Sequence, residues 1–111
     1  MNLSQKKCVP CEGGVPPLVE EESNKFLQEL AEGWEVFAEG KKLRRQFTFK
    51  DFREAMTFVN KVADIAEEEQ HHPDIIISYN KVTIELWTHA IAGLSENDFI
   101  LASKIDHILA E

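Results

Sequence analysis

Cysteine is scarce in this sequence: only Cys8 and Cys11 occur. Two thiols so close together cannot build the disulfide framework of a small secreted domain. Long hydrophobic runs are missing as well, and no apolar stretch approaches the ~20 residues a membrane-spanning helix needs. The segment from Met1 to Lys7 is polar and opens onto no apolar stretch, so no secretory signal is expected. Positive charge is in short supply: 12 Lys+Arg face 20 Asp+Glu, a net charge of −8 with His neutral. Affinity for a phosphate backbone comes mostly from Lys and Arg, and an anionic membrane is held by a polybasic cluster. Neither direct nucleic-acid binding nor membrane attachment is therefore expected. A reducing, cytoplasmic setting is the default. No repeat of 20–50 residues is visible, which removes solenoids and propellers.

What is present is 111 residues, 43% hydrophobic and 29% charged. That composition suits one globular domain with a modest core and no staples. Residues 1–18 read as a flexible arm carrying the Cys8-Val-Pro-Cys11 pair, with three of the four prolines and no periodicity. Residues 19–111 form the domain. A helix begins at Glu20, with acidic residues in its first turn, Phe26, Leu27 and Leu30 as its stripe and Gly33 as its stop. Trp34 to Ala38 is a strand with Trp34 as a core anchor, Glu39-Gly40-Lys41 a turn, and Leu43 to Phe49 a second strand. In the second strand Phe47 and Phe49 face inward, with Arg45 toward the edge of that face.

Thr48 and Asp51 have capping-box spacing ahead of the strongest helix. Its stripe reads Phe52, Ala55, Met56, Val59, Val62, Ala63 and Ala66, leaving Phe58 and Ile65 for a second contact such as a subunit interface. Pro73 ends it. Ile75 to Tyr79 and Val82 to His89 are two strands joined by a tight turn at Asn80-Lys81. Val82, Ile84 and Leu86 face the core, and Thr83, Glu85, Trp87 and His89 face away. Ser95 caps a last helix, with Leu94 and Phe99 at staple positions and Leu101, Ala102, Ile105, Ile108 and Leu109 as its stripe. The order α-β-β-α-β-β-α, with both strand pairs as hairpins, gives an α+β fold: a four-stranded antiparallel sheet with helices packed on one face.

Four histidines occur: His71, His72, His89 and His107. Antiparallel pairing sets the start of the third strand beside the end of the fourth, so His71, His72 and His89 meet at one rim of the sheet. Three imidazoles there suit acid–base chemistry near neutral pH or a zinc site with an open position. Glu67, four residues before His71, shares its helical face, and Asp98 lies close in sequence to His89. A carboxylate partner orients an imidazole. Ordinary surface histidines beside a proline turn remain the bland alternative.

The stretch Glu67-Glu-Glu-Gln-His-His-Pro73, with Tyr79-Asn-Lys-Val82, Thr88-His89, Gly93-Leu-Ser95, Asp98 and Ala102-Ser103, resembles pterin-4a-carbinolamine dehydratase. The resemblance extends upstream through Gly33-Trp34 and Phe47-Thr-Phe-Lys-Asp-Phe52 with Ala55, covering roughly residues 16–109. It implies a small lyase that dehydrates 4a-hydroxytetrahydrobiopterin to quinonoid dihydrobiopterin and water in tetrahydrobiopterin recycling, for an aromatic amino acid hydroxylase. It implies no metal and no bound cofactor, and a homodimer or homotetramer. Three family histidines fall on His71, His72 and His89 as catalytic residues. Glu67 and Asp98 then orient histidines or meet pterin N–H groups, and Gln70, Trp87, Thr88 and Ala90 line the pocket. Three positions depart from the family pattern: Gln70 where an acid is frequent, Trp87 where smaller residues occur, and Ile75 where an aromatic is common. Two readings of other classes stand beside this one: a non-enzymatic dimerisation or coactivator module, and a zinc-binding protein using His71, His72 and His89.

Other features have plainer readings. Cys8-Val-Pro-Cys11 has no second pair for zinc and no flanking strand and helix for thioredoxin-type redox chemistry. The Glu20–Glu22 and Glu67–Glu69 runs read as solvated helix faces, with Glu67 the exception, and His107 as an exposed residue.

Overall fold

A computed structural model describes residues 3–9 and 16–110. Among these residues helix α1 spans Glu20–Leu27, α2 Phe52–Glu69 and α3 Glu96–Ala110; the strands are β1 Glu35–Phe37, β2 Lys42–Thr48, β3 Asp74–Ser78 and β4 Lys81–Leu86. The sheet is antiparallel throughout, in the order β1-β2-β4-β3. The α+β architecture expected from the periodicity is the one observed.

The inward face of the sheet carries Leu43 and Phe47 from β2 and Val82, Ile84 and Leu86 from β4, all buried. Helices α2 and α3 cover that face, with Phe99, Leu101 and Ile105 of α3 and Val62 of α2 completing the core. Phe26 of α1 stacks on Phe99 at 5.4 Å between ring centroids. Trp34 is the expected core anchor: it meets Phe47 edge-on, and its indole N–H donates to Asp106 at 2.8 Å. Asp106 also accepts from Arg45 at 2.8 Å, which ties the far end of α3 to β2 and places Arg45 at the edge of the buried face. Gly33 sits at φ +112°, and a Cβ there would lie 2.9 Å from Arg45 Nε. A side chain at this stop is thus both strained and obstructed.

Several local expectations need correction. Phe58 is no spare surface residue. It is 4% exposed and packs between Phe47 (4.8 Å) and Phe49 (5.0 Å), whereas Phe52 is 51% exposed. The buried stripe of α2 is Ala55, Phe58, Val59, Val62 and Ala66, with Ile65 packed beside it. The helix has the expected period but a rotated phase, because the aromatic cluster of β2 draws Phe58 inward.

The cap of α2 is Asp51 itself, whose side chain accepts from Glu54 N–H at 2.8 Å; Thr48 remains the last residue of β2. The two-residue turn between β3 and β4 is Tyr79-Asn80, with Tyr79 at φ 53°. Asn80 is held by Phe49, each bonding the other's backbone region at 2.8 Å, which shifts the turn one place from Asn80-Lys81. Leu109 is exposed at the end of α3 rather than buried.

The segment Leu3–Val9 lies against the domain instead of standing off as an arm. Leu3 is 2% exposed within the core, and Ser4 O accepts from Lys104 Nζ at 3.0 Å. Cys11 and the rest of 10–15 fall outside the described residues.

Candidate active site

Helix α2 ends where Gln70 turns into the left-handed conformation (φ 54°, ψ 40°) and His71 N–H closes onto Ala66 O at 3.2 Å. That turn and Pro73 redirect the chain into β3. The pairing Asp74↔Glu85 then sets residues 71–73 beside the end of β4. The expected juxtaposition is present. A cavity of about 580 Å³ at this end of the sheet is lined by His71, His72 and His89, with Gln70, Trp87, Thr88 and Ala90. The volume lies within the range of small-molecule sites.

Beneath it Asp98, in the first turn of α3, is fully buried. It accepts from Thr88 Oγ1 at 2.8 Å and from Ser95 N–H at 2.9 Å, and lies 2.6 Å from His71 Nε2. A carboxylate accepts all three, and the amino end of a helix favours its charge. With Nε2 directed at Asp98, Nδ1 is the ring nitrogen of His71 that this contact leaves unengaged. The Thr88 hydroxyl also meets Ser95 Oγ at 2.7 Å, so Asp98, Thr88, Ser95 and His71 form one connected network.

The carboxylate partners are exchanged relative to expectation. Asp98 serves His71 rather than His89, and Glu67 Oε2 lies 2.6 Å from His72 Nε2 rather than from His71. The left-handed turn at Gln70 is the cause: it breaks the i,i+4 relation of Glu67 to His71 and swings His72 back over the last helical turn. His71 is 13% exposed and held; the His72–Glu67 pair is 54% and 74% exposed and worth little energetically. Gln70 itself donates from Nε2 to Glu67 O at 2.6 Å.

His89 does not end β4. The strand stops at Leu86, Thr88 bridges to Gly93, and His89–Ile91 form a 3-10 turn. The inward Thr88 side chain, bonded to Asp98, bends the chain out of the sheet. The His89 ring lies on Trp87, 4.0 Å between centroids, and Lys42 Nζ stands 5.1 Å from the Trp87 ring. Trp87 Nε1 is buried without a hydrogen-bond partner among the described residues.

The sequence reading missed Cys8, Val9, Glu68, Glu69 and Asn97, which also line the cavity. Glu69, not Glu67, is the buried member of its acidic run; it accepts from Cys8 N–H at 2.8 Å and lies 3.6 Å from Lys104 Nζ. The Cys8 thiol is pushed up to about 12, by burial first and then by the negative charges of Glu69 and Asp98. These contacts join residues some sixty to ninety positions apart, where no local pattern could reveal them. His107 is exposed, as expected. Among the described residues no three His, Cys, Asp or Glu side chains are gathered closely enough to hold a metal ion; His71, His72 and His89 share the cavity without forming such a group.

Residues 16–108 match the family profile described as pterin 4 alpha carbinolamine dehydratase. The chain belongs to that family. Pterin-4-alpha-carbinolamine dehydratases are hydro-lyases, and this protein is an enzyme of that class. It is 48% identical over 108 residues to the "Putative pterin-4-alpha-carbinolamine dehydratase" of Nitrosomonas eutropha, covering 97% of this chain and 94% of the relative. The crystal structure of a transcriptional coactivator/pterin dehydratase from Brucella melitensis superposes with a TM-score of 0.78 at 37% identity, covering 83% of this chain and 97% of that one. A pterin dehydratase-like protein identified as a RuBisCO assembly factor in the alpha-carboxysome shares the fold at TM-score 0.60 and 22% identity, over 68% of this chain and 88% of that one.

Of the three positions expected to depart from the dehydratase pattern, Gln70 and Trp87 both line the cavity, whereas Ile75 packs against the core opposite Ile84. No helix among the described residues is long and apolar enough to cross a membrane.

Proposed function

We propose that this dehydratase acts on 4a-hydroxytetrahydrobiopterin by histidine acid–base catalysis. The observation that carries the reading is the sharing of one cavity by three imidazoles, one of them tied at 2.6 Å to a fully buried carboxylate. In the reaction the C4a–O bond breaks and the departing hydroxyl takes a proton to leave as water. The N5–H proton is removed, and its bonding pair becomes the C4a=N5 double bond. The step needs one acid and one base and is neutral overall. A neutral imidazole and an imidazolium supply both, each worth roughly 10²–10⁴-fold.

We assign the proton transfers to His71 and His89 and the holding and polarising of the pterin to His72. His71 suits the base role because Asp98 fixes its ring and leaves Nδ1 free. Glu67 orients His72 at the cavity mouth. Gln70, Trp87, Thr88 and Ala90 bound the substrate, and Thr88 also shares Asp98. The setting we propose is cytoplasmic recycling of tetrahydrobiopterin for an aromatic amino acid hydroxylase, with the protein as a homodimer or homotetramer. The exposed Ile76 and Ile77 of edge strand β3, with exposed Tyr79 in the turn just after it, support self-association.

A coupled hydroxylase assay tests the reading. Added protein accelerates decay of the 4a-carbinolamine above its spontaneous rate, and His72→Ala and His89→Ala each lower kcat/KM by at least ~10²-fold. Undiminished activity in both variants removes the histidine assignment.

A further inference from the structure

We propose that the segment Leu3–Val9 is a wall of the substrate cavity, in which the Val9 side chain contacts bound pterin and Asn97 is the residue that positions it. The inference rests on the dehydratase reading of the cavity and adds a contact to it.

Ordering a chain segment costs conformational entropy at every residue, so a segment held in place must be fastened. This one is fastened at both ends. Leu3 is buried in the core, and Lys6 pairs with Glu96 at 2.5 Å. At the other end Asn97 and Val9 bond reciprocally: Val9 N–H donates to Asn97 Oδ1 at 2.9 Å, and Asn97 Nδ2 donates to Val9 O at 2.7 Å. Cys8 N–H donates to the buried Glu69 carboxylate at 2.8 Å.

Asn97 is 5% exposed, so a buried carboxamide is committed entirely to the backbone of residue 9. Such bonds fix where the segment runs, whatever its side chains are. Where it runs is the cavity: Cys8 and Val9 line it together with His71, His72 and His89. With its backbone groups engaged by Asn97, Val9 has only its isopropyl group left to offer the cavity, and the residue is 67% exposed. An apolar side chain held in the open on a lining that also carries Trp87 and Ala90 is what a flat heterocycle would cover. Asn97 also immediately precedes Asp98, the anchor of His71. One turn of α3 therefore sets the position of both the wall and the histidine.

Steady-state kinetics on the carbinolamine with full-length variants tests this. Val9→Ala raises KM by about 3- to 10-fold, as expected for losing buried methyl groups, and leaves kcat within twofold. Asn97→Ala raises KM at least as much. The double variant is no worse than Asn97→Ala by more than twofold, because the clip and the wall act as one unit. A KM within twofold of wild type in Val9→Ala, or in a folded Asn97→Ala whose Tm has fallen, overturns the proposal. The second result would show a detached segment that the substrate does not sense. If Asn97→Ala does not fold, Val9→Ala decides alone. If the wild type fails to accelerate carbinolamine decay, the dehydratase reading fails instead. The Kd of an oxidised pterin, read by tryptophan fluorescence quenching, then makes the same comparison without turnover: weakening of about 3- to 10-fold in Val9→Ala supports the wall, and an equal Kd overturns it.

Discussion

Asp98 receives Thr88, Ser95 and His71 while sealed from solvent, and few substitutions could keep that geometry. Asp98→Asn preserves shape but replaces one acceptor oxygen with a donor, so a donor from Thr88, Ser95 or His71 loses its partner. We expect kcat to fall on the order of 10–100-fold with KM little changed, the range typical when the group behind a functional histidine is removed. Single-turnover kinetics, with circular dichroism to confirm folding, checks it. The histidines themselves were legible in the sequence, since hairpin pairing sets His71 and His72 beside the end of β4, and His89 follows that end by three residues. Their partners were not. Which carboxylate meets which imidazole depends on the left-handed residue Gln70, and glutamine is no marker for that conformation.

At the scale of elements, the period of α2 was readable and its phase was not. Phe52 and Phe58 are six residues apart and compete for one face; the choice is made by Phe47 and Phe49, on a strand contributed from elsewhere in the chain. Phe58→Ala should cost about 3–5 kcal/mol. Phe52→Ala should stay within about 0.5 kcal/mol, as for exposed positions generally. Urea denaturation midpoints of the two variants separate these outcomes, and similar midpoints would mean that the phase assigned to α2 is wrong. Strand β4 shows the same limit. Its alternation through Leu86 was clear, but its end is set by Thr88 turning in toward Asp98, a contact with the next helix.

For the molecule as a whole, the layer order and the one-sided sheet followed from element order and hairpin spacing. The docking of Leu3–Val9 did not, because its partners on α2 and α3 lie far along the chain. That docking couples folding to the protonation of Cys8. The thiol sits at about 12 in the folded protein against an ordinary 9.0. The neutral form is therefore favoured by folding, and its stabilising contribution is complete below pH 9 and lost as pH rises toward 12. Thermal melts across that window should show Tm falling with a smaller slope in Cys8→Ala than in wild type. Identical slopes would remove the coupling.

The first turn of α3 has one more consequence. Asn97 grips Val9 and Asp98 grips His71, so a single peptide bond separates the two anchors. Covalent geometry fixes that spacing, and any substitution that slides or tilts the helix carries both attachments together. Widening the opening for a bulkier ring system is therefore a matter for Trp87, a lining residue that takes part in neither grip, where a shorter side chain would clear space.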